Sequence, residues 1–119
     1  MKGESYKNLI VWQKAMDLVV VLYKITASFP KEEIYGLSSQ IKRAAVSIPS
    51  NIAEGSRRSS REDFRNFLLI AFGSGSELET QLEVARRLSF VQKSDLVLAE
   101  NLLSEIMKMI NKLSDSMNT

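Results

Sequence analysis

A chain of 119 residues with 45% apolar and 25% charged side chains has the composition of one ordinary globular domain and is too short for two separate cores. It contains no Cys and no His, which excludes a disulfide framework, a thiolate metal site and the usual general base. The formal net charge is only +2, with a pI near 9.0, a balance that is no sign of nucleic acid by itself.

Gly and Pro number 5 and 2, so the punctuation of an all-β chain is missing. Good helix formers (Leu, Ala, Glu, Lys, Arg, Gln, Met) recur instead. Met1 to Ser5 carry no apolar signal core, and the longest apolar run, Leu18 to Tyr23, is far too short to span a bilayer. The expectation is a cytoplasmic protein of bacterial type, with no membrane contact.

Apolar spacing predicts four helices. The first spans about 8–28, with Leu9, Trp12, Ala15, Val19, Leu22 and Ile25 on one face, and stops at Phe29-Pro30. The second spans about 33–57, with Ile34, Leu37, Ile41, Ala44, Ala45, Ile48 and Ile52 in phase. Pro49 forfeits a hydrogen bond and crowds the carbonyl of Ala45, at about 3 kcal/mol. Because Ile48 and Ile52 keep the phase of Ile41 and Ala45, a kinked but continuous helix is predicted, with Gly55 and the polar run Ser56–Ser60 as its stop. The third spans about 60–88, opening on a Ser59-x-x-Glu62 capping box. Phe64, Phe67, Leu68, Ala71, Leu78, Leu82 and Ala85 form its stripe. Gly73-Ser74-Gly75-Ser76 lies inside it, where two helix-weakening glycines call for a close backbone approach. The fourth spans about 94–114, capped by Ser94 with Asp95 near the positive end of the dipole. Its seam is Leu96, Ala99, Leu102, Leu103, Ile106, Met109, Ile110 and Leu113, and Asp115–Thr119 are expected to fray. Helices of this length with short connections predict a single all-α domain over 1–119, an antiparallel up-down four-helix bundle.

Two segments go beyond generic bundle sequence: Tyr35 to Gly55 (YGLSSQIKRAAVSIPSNIAEG), and Phe67-Leu68 through Ala71 into Gly73 to Leu82 (GSGSELETQL). With Leu9-Ile10-Val11-Trp12 and Phe29-Pro30, they resemble the 23S rRNA intervening-sequence protein family, also called four-helix bundle proteins. The resemblance spans nearly the whole chain. It implies the bundle fold and a homo-oligomer, specifically a pentameric ring. It also implies kinship in fold with the accessory proteins of diversity-generating retroelements. Those bind nucleic acid through a basic surface and are linked to reverse transcriptase, so a polymerase-type protein partner is a further expectation.

From Gln40 to Arg65 the chain carries six basic residues, Lys42, Arg43, Arg57, Arg58, Arg61 and Arg65, against Glu54, Glu62 and Asp63. These six are the candidates for contacting RNA or DNA. An oligomer would multiply their charge into a ring. The competing reading pairs Arg58 with Glu54 and leaves Arg61 and Arg65 solvated or paired with Glu62. No aromatic platform interleaves with the basic residues, so sequence-specific recognition is not expected. Asn51, Glu54 and Gln81 stand beside apolar stripes and are candidates for a polar network fixing register or a subunit contact. Trp12, Tyr23, Phe64 and Phe67 read as core aromatics. One small bundle cannot cover Trp12, Tyr35, Phe72 and Phe90 together, which makes Trp12 and Tyr35 interface candidates. Glu77, Glu79 and Glu83 lack the Glu-x-x-His partners of a di-iron bundle, so no metal and no cofactor are expected. No nucleophile has an identifiable base, and no glycine loop cradles phosphate; the reading is a non-catalytic protein. It is foremost an accessory factor for nucleic acid or ribonucleoprotein, with a protein-binding scaffold as the alternative.

Overall fold

The computed structural model describes residues 5–118; Met1–Glu4, with the charged start of the chain, and Thr119 lie outside the described residues. Among the described residues are four α-helices: α1 (Ile10–Thr26), α2 (Leu37–Ser56), α3 (Arg61–Arg87) and α4 (Lys93–Asp115). They form the expected antiparallel bundle, 45 × 22 × 20 Å. Each helix packs on its neighbours in sequence, and α4 closes the ring against α1.

The ends of the helices follow local chemistry. Ser60, not Ser59, caps α3: its hydroxyl accepts from the Asp63 N–H at 3.0 Å, so the cap sits one residue later than the sequence pattern suggests. Helix α2 opens at Leu37 rather than 33, because residues Lys31–Glu33 make a separate 3-10 turn after Pro30. Glu33 then reaches forward to accept from the Leu37 N–H at 3.1 Å. Ile34, placed on the core face by its spacing, is consequently 55% exposed. Ser94 is not the cap of α4; Gln92 holds that position without a side-chain bond, and Ser94 falls inside the first turn beside Asp95. At the end of α3, Ser89 takes φ 58° while Phe90 N–H reaches Ala85 O and Ser89 N–H reaches Arg86 O, both at 3.0 Å, the double closure of a Schellman end. After Asp115 the turn continues, with Met117 N–H on Ser114 O at 3.0 Å and Asn118 N–H on Asp115 O at 3.1 Å.

Helix α2 runs unbroken through a buried Pro49. Gly55 does not act as a helix stop: it lies within α2, where a Cβ would sit 2.6 Å from Phe67 Cβ and 3.0 Å from Phe64 Cδ1. Its role is close approach of α2 to α3. Gly75 has the same role toward α4, since a Cβ there would collide with Met107, whereas Gly73 has open space around it. Close packing therefore accounts for one of the two α3 glycines.

The core is built from Leu18, Leu22, Ile41, Ile48, Ile52, Leu68, Leu78, Leu82, Leu103, Ile106 and Ile110, with Ala15, Ala45, Ala71 and Ala99 where helices draw close. Every predicted stripe contributes to it, but on α1 the buried face is Val11, Ala15, Leu18, Leu22 and Ile25. Trp12 and Val19 stand half-buried on its flank, and Tyr23, expected in the core, is 46% exposed. Phe64 is buried as expected, and Phe90 packs on Phe29 with ring centroids 5.5 Å apart.

Candidate nucleic-acid interface

The antiparallel order brings the start of α1, the end of α2, the start of α3 and the end of α4 to one end of the bundle. There a polar concavity of about 400 Å³ is lined by Ser56, Arg58, Ser59, Ser60 and Arg61, with Phe64, Leu113, Ser116 and Met117 as its floor and wall. Arg57, Arg58, Arg61 and Arg65 thus gather around the α2–α3 turn, next to the positive end of the α3 dipole. Lys42 and Arg43 do not join them. They lie about 20 Å away along α2 at 1.5 Å per residue, where with Tyr23, Ile34, Tyr35 and Val46 they line a second concavity.

The four arginines are differently held. Arg58 donates to Glu54 at 2.7 Å, as the competing sequence reading has it, and its guanidinium lies 4.8 Å from the Phe67 ring centroid. Arg57 sits 5.1 Å over the Tyr6 ring. Arg65 is half-buried, and its Nε has no hydrogen-bond partner among the described residues. Arg61 is exposed at the first position of α3. Lys42 likewise stands 4.9 Å over Tyr23. Cations and aromatic rings that are apart in sequence therefore meet in space. Each of these rings is engaged by the chain's own cation.

Two basic residues of this end escaped the sequence reading. Lys7 belongs to the 3-10 turn Tyr6–Asn8, whose Tyr6 ring Arg57 covers. Lys112 shares with Asn8 the lining of an apolar groove between α1 and α4. They come from opposite ends of the chain, and only the fold brings them to the arginine turn.

The polar-network candidates separate as well. Asn51 Nδ2 donates to Ser47 O at 2.8 Å and to Ser47 Oγ at 3.0 Å, and Ser47 Oγ meets Ser74 Oγ of α3 at 2.8 Å. Asn51 thus belongs to a ladder joining α2 to α3. Gln81 is buried with its Oε1 unpartnered among the described residues, and Glu54 is exposed on the Arg58 pair, so neither joins the ladder. Trp12 packs edge-on against Tyr6, 5.2 Å between centroids, and Tyr35 is 96% exposed.

The resolved pKa shifts lie elsewhere. Hydrogen bonds from Arg87 and then Arg86 hold the Glu83 carboxyl below its usual value. The bond to Glu100, which clasps α3 to α4, raises Arg86 above the ordinary arginine range. Among the described residues no cluster of acidic side chains is arranged to hold a metal ion, and no helix is long and apolar enough to cross a membrane.

Fold and surface together define a small helical-bundle protein with a basic end and an open apolar flank. The chain belongs to the 23S rRNA-intervening sequence protein family, whose sequence profile matches residues 7–112. Its structure is similar to that of a protein of unknown function from the S23 ribosomal protein family of Bacteroides thetaiotaomicron, with a TM-score of 0.81 and 27% identity over 89% of this chain and 96% of that one. No curated protein matches.

Proposed function

We propose that the chain is a non-catalytic, cytoplasmic accessory protein that self-assembles, as a pentameric ring, and binds RNA or DNA backbone through the basic end. The observation that carries this reading is the meeting of Arg58 and Arg61 with the serine-lined α3 N-terminus at one end of the bundle, with Arg57 beside them over Tyr6. Phosphate suits such a place, because guanidinium forks, hydroxyls and a helix dipole all favour an oxyanion. One chain offers a modest excess of charge; repetition around an assembly multiplies it. With the nearby rings occupied by the chain's own cations, contacts to phosphate rather than to bases are expected, and hence little sequence preference.

Fluorescence anisotropy with a labelled 30-nucleotide RNA and its DNA counterpart, titrated across salt concentrations, tests the reading. Binding should weaken linearly on a log–log scale, with a slope of about 0.7–0.9 per phosphate neutralised. Arg57→Gln with Arg61→Gln, both at exposed positions, should lower that slope by about 1.5 in total. Absence of binding at low salt, or binding indifferent to salt, would overturn it in favour of a protein-binding scaffold.

A further inference from the structure

Several apolar surfaces remain once the core and the basic end are described, and two of them differ in shape. The first is the groove between α1 and α2. Met16 and Tyr23 of α1 each share a concavity with Val46 of α2, and Tyr35 extends the surface beyond the start of α2; their exposures run from 38% at Met16 to 96% at Tyr35. Two concavities, about 320 and 500 Å³, run into one another at Val46, the residue they share. The second surface is the outward face of α3, where Leu69, Ile70 and Val84 are 46%, 52% and 40% exposed. Gly73 lies in the middle of that face with nothing within 4 Å of a Cβ position.

Gly73 has no reason within the single chain. Glycine is unfavourable inside a helix, and unlike Gly75 it lets no neighbour in this chain come closer. What it offers is a shallow notch between apolar side chains, where another backbone can approach. Charge runs in the same direction. The groove is edged by Lys42 and Arg43, neither in an ion pair among the described residues, while Glu77, one turn along α3 from Gly73, is also without one. A cationic apolar groove and an anionic apolar ridge on one chain are complementary to each other.

We infer that the occupant of the groove is a second copy of this chain: the α3 face around Gly73 seats in the α1–α2 groove of the next molecule, with Glu77 against Arg43. This rests on the assembly reading above and assigns its faces. Because the two faces differ, the contact is heterologous and propagates until it closes on itself. It also divides the basic residues by task. Lys42 and Arg43 are taken up between subunits, and the arginines of the α2–α3 turn remain for phosphate.

Multi-angle light scattering of the parent chain and three variants tests this. Gly73→Leu fills open space and removes a helix-weakening glycine, so its thermal unfolding by circular dichroism should match or exceed that of the parent at dilution. Its subunit dissociation constant should nevertheless rise about 30-fold or more. Val46→Asp should do the same from the groove side. Mixed in equal amounts, the two variants retain one intact interface and should give a one-to-one dimer and nothing larger. Arg43→Glu should weaken assembly about 10-fold, and pairing it with Glu77→Arg should restore it. A parent chain that stays monomeric overturns both the assembly reading and this one. An oligomeric parent whose mass survives Gly73→Leu and Val46→Asp overturns the face assignment alone.

Discussion

Helix α2 has two long flanks, and they are finished differently. Toward α3 it presents small and polar residues: Gly55 lets the α3 backbone and Phe67 come close, and Ser47 bonds Ser74 across the seam at 2.8 Å. Toward α1 it meets bulky side chains, Trp12, Met16, Val19 and Tyr23, and concavities remain between them, one mostly apolar and one edged by Lys42 and Arg43. The seam with α3 is accordingly the most extensive helix contact in the molecule. Residue size at a helix contact thus decides whether that contact is completed within the chain or leaves surface for another molecule.

The comparison breaks most readily at Gly55. An added methyl would meet the Cβ of Phe67 and, at 3.3 Å, the carbonyl oxygen of Phe64, neither of which is the end of a flexible side chain. Overpacking of this kind costs about 1–3 kcal/mol, against about 1 kcal/mol gained by removing a helical glycine. Gly55→Ala should therefore destabilise by about 1–2 kcal/mol, read as a lower urea midpoint at fixed chain concentration. An unchanged midpoint would mean that the seam gives way easily and is no tighter than the groove.

A smaller effect belongs to the polar ladder. Ser47→Ala removes the oxygen that meets Ser74 and accepts from Asn51, in half-buried surroundings where such a bond contributes about 1 kcal/mol. A double-mutant cycle with Ser74→Ala should show a coupling of about 0.5 kcal/mol between the two hydroxyls. Additivity would reduce the ladder to a coincidence of packing.

Periodicity made the bundle legible because a helix buries one stripe, and the apolar residues of α3 and α4 mark that stripe cleanly. On α1 the reading drifted by one position: Trp12 and Val19 are apolar, and apolarity alone does not separate a core face from an exposed apolar flank. Gly55 and Ser94 show a second limit. A glycine near a helix end and a serine near a helix start have familiar capping uses, yet Gly55 is fixed by Phe64 and Phe67, residues of another helix. The arginine turn could be read because Arg57, Arg58, Arg61 and Arg65 are close in sequence. Lys7 and Lys112 could not, since their place at the same end follows from the antiparallel order. The separation of Lys42 and Arg43 from the other four depends likewise on distance along α2, which a count of charges does not register.

The smallest expected effect lies on the groove. Val46 is 39% exposed, so serine in its place removes apolar surface that the folded single chain leaves partly in water. Changes of this kind at exposed helix positions stay within about 0.5 kcal/mol. Val46→Ser should leave the urea midpoint of the dilute chain where it is, in contrast to Gly55→Ala on the opposite flank of the same helix. A loss as large as that of Gly55→Ala would mean that the groove is already closed within one chain, with its apolar side chains belonging to the core. An unchanged midpoint would show that the groove's exposed apolar side chains are not part of the chain's own core, which leaves them available to another surface.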